Sequence, residues 1–339
     1  MNTKEIQKTQ QKMIKKIQFK NRKATNGAYN TIKKYNTIFN NFNTYIQSNN
    51  ITEITQHNIN QILEQYQQEY LNEYTTKDDK QLSNNTINQY MIIIRKLFTK
   101  ECKMQLEKLE ILKVDKHDPK YINNEQYKVI QEYLEKRIQQ CNTKHQEQML
   151  QTDKTIINLL FNTGLRIHEA LKIKIDELSR TQKDHNNNYQ YEVVGKGNKK
   201  RTIIITSPVF DALMQYIQLF PKSEQVYVFE SNKKQHQPIS TRTIERHFNN
   251  IALELDKIEH NNPTDADSYS SILKPHNLRH SYAVNSLNNG IPINAVQKQL
   301  RHSNITTTQI YTELNSDSLS DAIASASIPN VPSFPGING

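Results

Sequence analysis

Six residues of this chain have the types and the spacing to move a phosphoryl group. Arg166 stands in NTGLRIHEALKI, Lys196 in VVGKGNKKR, His276 and Arg279 in PHNLRHSYAV, and His302 and Tyr311 in LRHSNITTTQIYTEL. A phosphodiester repels nucleophiles, and more negative charge accumulates in its transition state, so cationic donors must face the non-bridging oxygens. Arginine suits that task because its planar fork pairs with two oxygens and stays charged. Arg166 and Arg279 are the two candidate clamps, and Tyr311 is the candidate nucleophile. A free phenol has a pKa of about 10, so its proton needs an acceptor, for which His276 is the candidate base. His302 reads as a donor to a phosphate oxygen. The leaving oxygen of a phosphodiester is an alkoxide too basic to depart unprotonated, and Lys196 at an expected hairpin tip is the candidate acid. Its neighbours Lys199, Lys200 and Arg201 suit binding of further backbone phosphates.

Taken singly, each of these residues has an ordinary explanation: a surface ion pair for an arginine, a core position for one of seventeen tyrosines, an exposed turn for the lysines. The combination carries the reading. A rival use of His276 and His280 as an i,i+4 zinc pair fails on residue 277, which is Asn rather than Glu, and on Arg279, whose charge is hostile to a cation.

The elements that must position these groups fall into two sets. With 339 residues the chain suffices for two domains, and a formal net charge of +10 favours a polyanionic partner. No apolar run approaches the ~18 residues of a membrane span, and the N-terminus lacks a secretory apolar core. Two cysteines without a ligand pattern argue against disulfides or structural zinc. The expectation is a soluble intracellular protein that does not enter a membrane.

Residues 1–24 read as a basic arm, with eight Lys/Arg in the first 23 positions against the single acid Glu5. From Tyr29 the apolar residues Ile32, Tyr35, Phe39, Phe42 and Ile46 fall on one helical face. Further stripes at 59–70 and from Ser83 complete a small helical domain over 25–105. Residues 106–120 lose the rhythm and read as a linker, with 121–315 as a second domain. In it helices are expected at 125–138, 153–161, 207 onward and 241–255. Strands at 189–194 and 202–205 flank a Gly-Lys-Gly hairpin turn. Residues 316–339 read as a short helix and an extended tail that contacts another protomer.

The four quoted motifs, in this order, resemble the tyrosine recombinase (phage integrase, Xer-like) family over nearly the whole chain. The resemblance implies a mainly α, two-domain fold. A SAM-like helical core-binding domain precedes a mixed α+β catalytic domain with a small β-hairpin. It implies a site-specific DNA recombinase or integrase that cuts through a 3′-phosphotyrosine and rejoins through a Holliday junction, without metal or nucleotide. The implied partner is double-stranded DNA with inverted-repeat sites, held by two protomers per site and four in a synapse. The implied location is cytoplasmic and nucleoid-associated, or on an organelle genome. His168 stands where Ser is common in the family and Arg301 where Gly is usual; neither removes a chemical group. The stretch before Tyr29 is shorter than a separate arm-site domain, which favours short inverted-repeat sites. The alternatives are a non-cutting DNA-binding accessory protein of the same fold and a type IB topoisomerase-like relaxation activity.

Overall fold

The computed structural model describes residues 1–20, 25–74, 81–108, 110–114, 119–195, 200–221, 224–259, 262, 265 and 267–300. The chain divides into two compact units, one built on Met1–His117 and one on Asp118–Gly195 with the chain from Lys199 onward. The fold is mainly helical with a small antiparallel sheet, in agreement with the fold class expected from sequence.

The first unit holds helices α1 (Thr3–Lys20), α2 (Thr25–Ser48), α3 (Ile59–Gln65) and α4 (Asn84–Lys96). α3 runs on into a π-helical segment, Tyr66–Leu71, and α4 into another, Leu97–Glu101. The apolar stripe of α2 is the centre of the core: Phe42 is fully buried, edge-on to Tyr66 at 4.9 Å and to Phe98 at 5.9 Å. Ser83 caps α4 by accepting from the Thr86 amide.

Two expectations change here. The described part of the expected basic arm 1–24, residues 1–20, is not free. Over α1 they bury Ile6 and Met13 in the unit's core, and Gln10 and Asn43 exchange amide hydrogen bonds of 3.0 Å with α2. The sparse apolar stripe outweighs the surrounding lysines because those reach solvent from the opposite face. The segment read as linker is tied down where it is described. Asn88 pairs in both directions with the backbone of Leu112, and Gln67 and Asn84 donate to the carbonyls of Glu110 and Lys113.

The second unit is organised on α6 (Lys144–Thr163), following α5 (Asn124–Gln139). Nine of the twelve residues of α6 from Thr152 on are buried. The short helices α7 (Ile167–Ala170) and α8 (Ile175–Ser179) lead to β1 (Tyr189–Val194) and β2 (Lys200–Ile205). The strands pair antiparallel from Tyr189 opposite Ile205 to Val194 opposite Lys200. Tyr191, Val193, Ile203 and Ile205 face inward and their neighbours outward, the period-two pattern of a half-buried hairpin.

Then come α9 (Ser207–Leu219), α10 (Thr241–Ile258), α11 (Tyr269–Ile272), α12 (Pro275–Asn288) and α13 (Ile293–Leu300). Buried Asp256 of α10 accepts the amides of Tyr269 and Ser270 and so caps α11, which sets the entry to α12. Pro275 opens α12 at a position where the missing N–H costs nothing.

Candidate active site

α6 ends at Gly164, whose left-handed backbone (φ 65°) turns the chain sharply into Arg166. A side chain here would be strained by that φ. Its Cβ would also fall 2.5 Å from Leu300 Cδ2 and 2.6 Å from Tyr282 Cδ1. Glycine therefore lets α12 and α13 close onto the end of α6.

α12 carries His276 and Arg279 one turn apart, on one face. Arg279 is 3% exposed, and its two terminal nitrogens donate to the carbonyls of Gly164 and Leu300. One arginine thus binds the backbone just before the other. Arg166 is the freer of the two, with its side chain 40% exposed. Its backbone amide donates to Glu169 Oε2 at 3.0 Å and its Nη1 to Glu169 Oε1 at 3.3 Å.

The charges set the protonation of the neighbouring rings. His276 stacks edge-on with His280, ring centres 4.3 Å apart. Crowding by protein atoms, then the charges of Arg279 and Arg166, hold the His276 pKa below the ordinary histidine value. His168 is also lowered: burial outweighs the raising effect of Glu169, and Arg166, Lys172 and Arg279 add to the lowering. For Glu169 burial would raise the pKa. The charge of Arg201, the Arg166 amide, the Arg201 hydrogen bond and the Arg166 charge together hold it below the usual carboxylate range. The result is a cluster of fixed cations beside imidazoles whose pKa values lie below the ordinary histidine value, suited to an anion with a proton to give up.

Of the residues expected from sequence, Arg166, His276 and Arg279 are brought together. Lys196, Lys199, His302 and Tyr311 lie outside the described residues. Lys200 is exposed and pairs with Glu192 across the hairpin at 2.7 Å, a surface contact that a phosphate can replace.

Arg201 corrects the sequence reading. Its side chain is only 7% exposed, it is bonded to Glu169 Oε2 at 2.8 Å, and it donates to the Gln299 carbonyl. It is unavailable to a DNA phosphate. Glu169 and Gln299 are the polar residues that sequence reasoning passed over. Glu169 carries a signal, the acidic residue three positions after a helix start. Gln299 carries a fainter one, a polar residue beside buried Val296 and Leu300.

Comparison with known proteins bears on the family and the fold. The profile described as "Phage integrase family" matches residues 120–317, and that described as "Phage integrase SAM-like domain" matches 12–117. The tyrosine recombinase XerA of Pyrococcus furiosus is 27% identical over 225 residues, covering 66% of this chain and 68% of XerA. The tyrosine recombinase XerD of Staphylococcus haemolyticus is 32% identical over 168 residues, covering 48% and 50%. The match thus spans about half the length of such bacterial relatives.

Among solved structures, the XerH site-specific recombinase bound to palindromic difH substrate superposes with a TM-score of 0.59 at 19% identity, over 87% of this chain and 79% of XerH. The Tn1549 transposon integrase in complex with transposon right end DNA gives 0.59 at 15% identity, over 92% and 98%. These likenesses establish the shared fold.

Proposed function

The chain belongs to the phage integrase family of tyrosine recombinases, and we propose that, as a site-specific DNA recombinase, it works through Arg166, Lys196, His276, Arg279, His302 and Tyr311. The observation that carries this reading is the meeting of Arg166, Arg279 and His276 around the turn at Gly164.

In the proposed reaction the Tyr311 oxygen attacks phosphorus while Arg166 and Arg279 face the non-bridging oxygens, Arg279 exchanging its bonds to the Gly164 and Leu300 carbonyls for the phosphate. His276, neutral because its pKa is lowered, accepts the phenolic proton. The bond from phosphorus to the 5′-oxygen breaks, Lys196 protonates that oxygen, and His302 donates to a phosphate oxygen. The enzyme then holds a 3′-phosphotyrosine, and a 5′-hydroxyl from a partner strand reverses the step through a Holliday junction. The bond energy stays in the phosphotyrosine, so the cycle calls for no nucleotide.

The partner is double-stranded DNA carrying inverted-repeat sites, with two protomers on each site and four in the synapse. The likeness to recombinases solved on DNA supports the DNA partner. No described helix is long and apolar enough to cross a membrane; with the net charge of +10, this supports a nucleoid-associated location.

The test is covalent trapping. Nicked duplexes tiling the DNA that flanks the gene are incubated with the protein and resolved under denaturing conditions. The wild type should form an adduct on one of them, and Tyr311→Phe should bind that duplex equally well without an adduct. An adduct surviving in Tyr311→Phe would assign the nucleophile elsewhere. Site-independent plasmid relaxation would favour the topoisomerase alternative.

A further inference from the structure

The end of α13 is held by two buried guanidinium groups. The last carbonyls of a helix have no partner within it. Here Leu300 O accepts from Arg279 and Gln299 O from Arg201. The Gln299 side chain makes a second tie. Its Nε2 donates to Ile204 O at 2.9 Å and to Thr163 O at 3.2 Å, and its Oε1 accepts the Ile204 amide at 3.0 Å. The carboxamide thus pairs with the backbone of β2 as a neighbouring strand would, on the edge away from β1. Arg201, on the same strand, also reaches Glu169, which holds Arg166.

Nothing in this arrangement resembles a cheap way to stabilise a core. Arg201 and Glu169 are both buried charges, and Nε of Arg201 has no partner among the described residues. A buried pair is weak support for stability but fixes geometry. The geometry fixed is that between three elements. In chain order β2 follows Lys196 and α13 precedes His302 and Tyr311, and Glu169 holds Arg166.

We infer that Arg201 and Gln299 are positioning residues that latch strand β2 to the end of α13 and, through Glu169, to Arg166. The latch holds in a common frame the strand that follows Lys196 in the chain, the helix that precedes His302 and Tyr311, and Arg166. It rests on the recombinase reading for its consequence, though not for its existence.

The test uses the full chain with Arg201→Lys and Gln299→Leu. Arg201→Lys keeps the charge beside Glu169 but cannot span both Glu169 and the Gln299 carbonyl. Gln299→Leu keeps the volume and removes the side-chain ties. Hydrogen exchange should show faster exchange in β2 and α13 in both variants, with α10 unchanged.

On the nicked duplex that traps the wild type, adduct formation at saturating DNA should slow by at least about tenfold, as expected for a misplaced reacting group. The DNA affinity and its salt slope should stay within about twofold of wild type. If exchange loosens while the saturating rate holds, Arg201 and Gln299 serve stability alone and the proposal falls. If affinity and salt slope drop instead, Arg201 grips DNA and the proposal also falls. A wild type that traps on none of the duplexes overturns the recombinase reading and the latch's catalytic role together. Unchanged exchange in both variants would by itself overturn the latch.

Discussion

The Arg279 guanidinium donates to the carbonyl of Gly164, a residue 115 positions earlier in the chain. That bond joins the turn that starts one signature motif to the helix that carries the other. It makes Gly164 both a backbone hinge and the floor under two candidate phosphate clamps.

Gly164→Ala should therefore destabilise the second unit. The left-handed φ alone costs roughly 1–2 kcal/mol for a residue with a Cβ, and overpacking against Leu300 and Tyr282 adds about 1–3 kcal/mol. Urea unfolding followed by circular dichroism should show a lower midpoint with an unchanged slope. A midpoint lowered by no more than the left-handed φ accounts for would mean that both neighbours swing away freely, and one equal to wild type would mean that the backbone also relaxes.

The lowered pKa of His276 gives a signed pH dependence. A base must be unprotonated, so lowering its pKa extends activity toward acid. Single-turnover adduct formation should be flat through neutrality and fall only below the free histidine value of about 6.5. An acid limb centred above that value would mean that His276 is held protonated or that another group limits the rate.

Lys196→Ala should slow cleavage strongly on an ordinary phosphodiester, because the departing 5′-oxygen loses its acid. With sulfur at that bridging position the leaving group needs no proton. Cleavage of the sulfur substrate should be nearly indifferent to the change. Equal defects on the two substrates would reduce Lys196 to a DNA contact.

Much of this was legible in the sequence because it depends on local pattern. The strand 189–194 was set by alternation, and the turn after α6 by a glycine that only a positive φ explains. The pairing of Arg166 with Arg279 followed from motif resemblance. Other features depend on long-range contacts that leave little trace in composition. Among lysines, Ile6 and Met13 of α1 look like exceptions until α2 lies against them. Arg201 reads as part of a basic turn, since its burial is decided by Glu169 and by a carbonyl at residue 299.

Binding to DNA should be steeply salt-dependent. With a net charge of +10, neutralising on the order of 6–10 phosphates gives a log–log slope of roughly −5 to −9. Fluorescence anisotropy across a salt series measures it. A slope near zero would remove the electrostatic basis of the reading.

Residues 316–339, outside the described residues, are proposed to join protomers. From Ser316 to Gly339 there is no Lys or Arg and there are two acids, so this end is unsuited to DNA. Ser316 and Asp317 can cap a helix whose Leu319, Ala322, Ile323 and Ala326 share one face. A helix that short is marginal alone and needs a groove to bury its stripe. Beyond it the prolines at 329, 332 and 335 favour an extended chain that lies on a surface. If the groove belongs to a neighbour, truncation after Asn315 leaves thermal unfolding and single-site binding close to wild type. Cooperative binding of the second protomer and strand exchange then fall together, by about tenfold or more if the contact contributes about 1.4 kcal/mol. If the groove is the chain's own, truncation lowers the unfolding temperature while cooperativity survives. Gel-shift titration on one-site and two-site duplexes, run beside a melting curve, separates the two because each outcome moves a quantity that the other leaves fixed.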